Sequence, residues 1–112
     1  MLRITLVLTL LLTALPASAM TIGTLKELEN SDRRDPAYKS YMLGLQRGIM
    51  YTDGVVEQRF GESLFCLPET MNFGSIDYAK MTLEEAERMG MGDDAVAEMV
   101  MIFALMTNFP CE

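Results

Sequence analysis

The stretch that decides the fold is the last one in the chain, residues 94–111, which read DAVAEMVMIFALMTNFPC. Apolar residues recur there at the three- and four-residue spacing of a helical face, and others fill most of the remaining circumference. A helix that is apolar nearly all round belongs in the middle of a bundle. Pro110 ends this one, because proline cannot continue a helix. The predicted inward face consists of Val96, Met99, Val100, Phe103 and Met106, with Met101, Ile102 and Leu105 beside it.

A long helix is predicted earlier in the chain, from Pro36 to about residue 59. Asp35 can cap its exposed amides, and proline suits the first helical position. Gly61 is a suitable C-terminal stop. Gly44 and Gly48, four residues apart, share one face of this helix. We expect them to permit the close approach of another backbone, with a ligand as the alternative.

Two shorter helices complete the prediction. One covers residues 21–29, and the other begins near residue 72 or 75 and ends at Arg88, before Gly90 and Gly92. On the latter, Asp77, Lys80, Glu84, Glu85 and Glu87 are expected to face water. No segment shows the alternation of a strand, so the sequence predicts an all-α, four-helix bundle.

The first nineteen residues have the features of a secretory signal. Arg3 precedes an apolar run, and Ala17-Ser18-Ala19 forms an Ala-x-Ala cleavage pattern. The apolar run is too short to cross a bilayer comfortably, which argues against an uncleaved anchor. We therefore expect cleavage after Ala19, a mature domain of residues 20–112 and a periplasmic location.

The charge balance restricts the partners. In residues 20–112, eight basic residues stand against sixteen acidic ones, a formal net charge of −8. Nucleic acids and anionic lipids both require lysine and arginine, so neither is expected as a partner. A basic protein partner is compatible with this charge, although an acidic surface usually serves solubility alone.

The two cysteines, Cys66 and Cys111, predict one disulfide, because an exported domain of this size commonly contains such a bond. A redox pair is the weaker alternative, since redox cysteines usually occur as Cys-x-x-Cys. The predicted bond closes a loop of about 45 residues and contributes roughly 4 kcal/mol in the chain-entropy model. The last two helices have similar lengths and are joined by a short turn, so we expect them to run antiparallel and the disulfide to close the open end of their hairpin.

Catalytic and metal-binding motifs are not evident. The sequence contains no histidine, which excludes Ser-His-Asp and Cys-His arrangements and imidazole ligands. Met89-x-Met91 and Met99-x-Met101 have the spacing of thioether copper sites, but residues two apart on a helix face different ways. We expect no enzyme activity, no metal and no cofactor, with Met99 and Met101 as core residues.

Two cysteine-containing motifs support a family resemblance. Phe65-Cys66-Leu67-Pro68-Glu69 and the segment ALMTNFPC at residues 104–111 resemble the Rap/Tai family of type VI secretion immunity proteins. The glycine-containing segments at residues 44–48 and 51–54 also fit that family. At residues 87–94 the chain reads ERMGMGDD, which departs from the "Leu-x-x-His-Pro-Glu"-like corner of many members.

The resemblance implies a small helical protein of the periplasm, commonly a homodimer, that inhibits a peptidoglycan amidase delivered by sibling cells. The corner between the last two helices then becomes the candidate partner-binding site, because it contains more methionine and aspartate than a turn requires. Its residues are Glu87, Met89, Met91, Asp93 and Asp94. Alternatively, Asp93 and Asp94 only cap the last helix.

A second class of function fits the same composition. Acid-stress chaperones of the HdeA type are also small, helical periplasmic dimers with one disulfide. Sixteen carboxylates could supply an acid trigger, because their protonation removes paired and capping charges. A non-catalytic interaction module of the cell envelope, without a toxin partner, is the third alternative.

Overall fold

Four α-helices form the domain in the computed structural model, which describes residues 19–31 and 35–112. A 3₁₀ turn at Phe73–Ser75 precedes the third helix. Among these residues there is no strand, and the predicted all-α fold with a Cys66–Cys111 disulfide is confirmed. All of the predicted signal segment except Ala19 lies outside the described residues. The helices are α1 (Ile22–Ser31), α2 (Pro36–Phe60), α3 (Tyr78–Arg88) and α4 (Ala97–Asn108).

The ends of α2 lie where the sequence predicts them. The Asp35 carboxylate accepts a hydrogen bond of 2.8 Å from the Ala37 N–H, and Pro36 is the first helical residue. At the other end, Gly61 adopts a left-handed conformation with φ of 79° and donates its N–H to the Glu57 carbonyl. A glycine suits that position because it has no Cβ to clash.

The start of α4 differs from the prediction. Its N-cap is Val96, without a side-chain cap, so Asp93 and Asp94 do not cap this helix. The segment before it instead pairs with the chain entering α1. Ile22 N–H donates to the Ala95 carbonyl, and Ala97 N–H donates to the Met20 carbonyl. Backbone pairing with an adjacent segment therefore takes the place of a cap at this helix end.

The core lies between α1, α3 and α4, and Tyr38, Met42 and Ile49 of α2 are buried against it. Ile22 and Leu25 of α1 are fully enclosed, and α4 contributes residues at spacings of three and four. Of the predicted inward face, Val100 is buried and Phe103 is partly buried, whereas Val96, Met99 and Met106 are exposed. The buried residues of α4 are Ala97, Val100, Met101, Ala104 and Leu105.

The connection between α2 and α3 is fixed to the end of the chain. Cys66 forms the disulfide with Cys111, their Cα atoms being 4.9 Å apart, and its N–H donates to the Phe109 carbonyl. Phe65 is buried beside it. Within residues 19–31 and 35–112, no helix has the length and apolar character needed to cross a membrane.

Candidate functional site

The predicted partner-binding corner is a rigid helix end. Gly90 adopts a left-handed conformation with φ of 68°, and its N–H donates to the Glu87 carbonyl. Met91 N–H donates to the Ala86 carbonyl over 2.8 Å. This pair of hydrogen bonds is a Schellman motif, which turns the chain sharply after α3.

Four of the five predicted corner residues are exposed, namely Glu87, Met89, Asp93 and Asp94, while Met91 packs partly against the core. Asp93 is engaged within the chain. Its carboxylate accepts a 2.7 Å hydrogen bond from Lys26 Nζ, and its carbonyl accepts one from the Gly23 N–H. The corner therefore presents an acidic, methionine-containing surface that is attached to α1.

A larger apolar surface lies elsewhere, on α4. Met99 is 52 % exposed and Met106 is 39 % exposed, and Ile102 lies between them on the same helical face. The expectation that Met99 is a core residue is therefore wrong. Because α4 is apolar nearly all round and the described residues cover only one side of it, the other side is an open hydrophobic face among residues 19–31 and 35–112.

The exposed side of α2 continues this apolar character. Tyr51 is 72 % exposed and Val55 is 58 % exposed. They share a face with Gly44 and Gly48, because these residues are separated by three, four or seven positions. A Cβ at either glycine would meet nothing within 4 Å, so the predicted close approach of a second backbone does not occur within the described chain.

A groove runs between these two helices, with a volume of about 300 Å³. No charged side chain lines it. We call it the α2–α4 groove, and define it by Gly44, Leu45, Gly48, Ile49, Thr52, Leu64 and Ile102. Uncharged surface of this extent is notable in a domain with twice as many acidic as basic residues, and exposed apolar patches commonly mark interaction sites.

Glu85 contradicts the prediction that it faces water. It is 3 % exposed, and its carboxylate pairs with Arg88 through both oxygens. The hydroxyl of Thr107 on α4 donates to the same group. The hydrogen bonds from Arg88 hold the pKa of Glu85 below its ordinary value, although burial acts in the opposite direction.

Glu98, in the first turn of α4, is a partly buried carboxylate whose Oε2 is enclosed. It accepts hydrogen bonds from the Tyr41 hydroxyl on α2 and from the Met20 backbone nitrogen. Burial is the largest single influence on its pKa and acts to raise it. The hydrogen bonds from Tyr41, Met20 and its own backbone outweigh burial, so the pKa of Glu98 is lowered.

Neither carboxylate belongs to a metal-binding group. Among the described residues, no cluster of three or more acidic or cysteine side chains could hold a metal ion. The sulfurs of Met99 and Met101 do not converge either. Met99 is exposed while Met101 is enclosed, so the two sulfurs lie on different sides of α4.

Comparisons with protein-family models, with curated proteins and with solved structures found no match to this chain. The candidate site is therefore defined from the residues of this chain alone. They form two surfaces, the acidic corner and the uncharged α2–α4 groove.

Sequence reasoning proposed the corner as a partner-binding site, and it did not predict the groove or the burial of the two carboxylates. The glycine spacing at Gly44 and Gly48 was the available indication of the groove. No comparable indication exists for the burial of Glu85 and Glu98, because a carboxylate that is buried by a neighbouring helix has the same local sequence pattern as a solvated one.

Proposed function

We propose that this protein is a non-catalytic periplasmic inhibitor of a peptidoglycan-degrading amidase, in the manner of the Rap/Tai immunity proteins it resembles. The observation that carries the proposal is the exposed apolar surface on α2 and α4, which includes the uncharged α2–α4 groove, together with the separate acidic corner at residues 87–94. Two distinct surfaces suit a protein that both self-associates and binds a partner. A sequence without histidine and with one structural disulfide fits an exported binding protein.

The two surfaces suit different partners. Two copies with a net charge of −8 repel each other, so an interface between copies requires an uncharged contact such as the α2–α4 groove and the faces beside it. The acidic corner suits a partner with a basic rim, because complementary charge accelerates association and favours the correct orientation. We assign the groove to a homodimer and the corner to the amidase.

Co-purification from the periplasm, with the mature oxidised protein as bait, tests this function. We expect one cell-wall amidase at equal stoichiometry. Asp94 is an exposed corner residue whose side chain pairs with none of the described residues, so Asp94→Lys should weaken capture of the amidase, while Lys39→Glu on α2 should not. Capture that is unchanged by Asp94→Lys would remove the corner from the interface.

An acid-stress chaperone is the second candidate, and the two enclosed carboxylates favour it. Protonation of Glu85 and Glu98 would weaken the α3–α4 and α2–α4 contacts that they make. Recovery of many envelope proteins, increasing at acid pH, together with suppression of client aggregation in light scattering, would support this function over inhibition.

A further inference from the structure

Met20 is the predicted first residue of the mature chain and also a neighbour of an enclosed carboxylate. Its backbone nitrogen lies 3.0 Å from Glu98 Oε1, the oxygen that also accepts from the Tyr41 hydroxyl. The other oxygen, Oε2, is shielded from solvent and accepts no hydrogen bond from the described residues. A shielded acceptor without a partner is costly, and most such atoms in folded proteins are paired.

In the uncleaved chain the Met20 nitrogen belongs to an amide and carries a single hydrogen. Hydrolysis of the Ala19–Met20 bond by a signal peptidase adds the hydroxyl of water to the Ala19 carbonyl carbon and a proton to the Met20 nitrogen. A second proton from solvent converts the amine to an ammonium group. An α-amino group has an ordinary pKa of about 7.7–8.0, so it is charged at neutral pH.

We propose that cleavage after Ala19 completes this site, because the new ammonium group of Met20 forms an ion pair with Glu98 and ties the start of α1 to the first turn of α4. Its additional hydrogens supply the donor that Oε2 lacks. The inference rests on the cleavage position contained in the proposed function, and it is independent of the identity of any partner.

The surrounding contacts hold the new terminus in place. Ala97 N–H donates to the Met20 carbonyl over 2.8 Å, and Ile22 N–H donates to the Ala95 carbonyl over 2.9 Å. Thr21 and Val96 form the antiparallel bridge between these bonds. A terminus that is already fixed loses little conformational freedom on pairing, which favours the ion pair.

The charge on Glu98 is secure at neutral pH. Among the described residues, the titratable side chain that contacts Glu98 is the Tyr41 phenol, and the Met20 backbone nitrogen lies beside the same oxygen. Burial, the hydrogen bond to Glu98 and the charge of Glu98 all raise the pKa of Tyr41, so the phenol remains a donor. The ammonium group is therefore the partner that cleavage adds.

A comparison of four proteins tests the proposal: the mature chain that begins at Met20 and the chain that retains Ala19, each with Glu98 or with Glu98→Gln. Each N-terminus, Met20 or Ala19, is produced by expressing the chain behind a removable fusion partner whose cleavage leaves no additional residues. With Glu98 present, retention of Ala19 should raise the unfolding equilibrium constant about tenfold, as expected for a charge-assisted hydrogen bond. With Glu98→Gln, the effect should fall below about twofold.

Two further measurements separate this ion pair from a general effect on folding. The pKa of the Met20 α-amine, followed by NMR, should lie above its ordinary value in the mature protein and return to it in Glu98→Gln. Acetylation of the amine, which removes the charge without a substitution, should reproduce the tenfold effect. Equal stability of the two termini, or an unshifted amine pKa, would overturn the proposal.

A separate measurement shows whether the predicted cleavage position is wrong. The intact mass of the protein exported with its own leader gives the first residue directly, and any start other than Met20 would overturn the inference. Amidase capture depends on the corner and the groove, so its failure would leave the Met20–Glu98 result unaffected.

Discussion

The carboxylate of Glu85 on α3 accepts a hydrogen bond of 3.0 Å from the hydroxyl of Thr107 on α4. Both residues lie in the C-terminal parts of their helices. This contact joins the two helices that carry most of the core.

Replacement of Glu85 should therefore be costly. We expect Glu85→Ala to reduce the free energy of unfolding by about 1–3 kcal/mol, because Thr107 loses an acceptor and a helix–helix hydrogen bond is removed. Urea denaturation measures this change. Glu84→Ala is the matched control, since its side chain is 66 % exposed and should change stability by less than about 0.5 kcal/mol. Equal losses in the two variants would contradict the assigned role.

The two enclosed carboxylates predict a loss of stability in acid. The pKa values of Glu85 and Glu98 are lower in the folded state than the ordinary value of 4.5. The unfolded chain therefore binds more protons in acid. The contribution of these two carboxylates to the free energy of unfolding is therefore fully present above about pH 4.5, and it decreases as the pH falls through their lowered pKa values. The urea midpoint from pH 7 to pH 3 should follow this course.

Glu85→Gln provides the control for that titration. It removes one of the two titrating groups, so the dependence of the urea midpoint on pH should be shallower than in the unmodified protein. A variant with the same slope would show that other carboxylates cause the acid sensitivity.

Two glycines should respond to alanine in opposite directions. Gly48 lies inside α2 with open space around it, so Gly48→Ala should stabilise the monomer by up to about 1 kcal/mol. Gly90 has a φ of 68°, a conformation that costs an alanine roughly 1–2 kcal/mol. Thermal unfolding at low protein concentration measures both. A stabilising Gly90→Ala would contradict the Schellman geometry at the end of α3.

The homodimer assigned to the α2–α4 groove is open to a direct test. Val55→Asp places a carboxylate on the exposed side of α2 next to the uncharged α2–α4 groove and should weaken dimerisation by at least about tenfold, since unpaired charges are disfavoured in interface cores. Sedimentation velocity over a range of concentrations measures the effect. Met50→Asp is the control, because Met50 is also exposed but lies on the opposite side of α2. Similar effects of the two substitutions would exclude this face as the interface.

The sequence alone determined the features that depend on local backbone chemistry. Asp35-Pro36 and Gly61 act on adjacent peptide groups, so the limits of α2 followed from them. The same reasoning placed the end of α3 at Gly90. The all-α class and the pairing of the only two cysteines were likewise accessible without a structure.

Only the tertiary structure decided which side of α4 is buried. A helix that is apolar all round has no preferred face of its own, so Val100 rather than Met99 is enclosed because of the positions of α1 and α3. Asp93 likewise pairs with Lys26, and Glu85 and Glu98 are covered by residues distant in sequence. These outcomes depend on neighbours that short-range periodicity does not specify, and they determine which surfaces remain open for a partner.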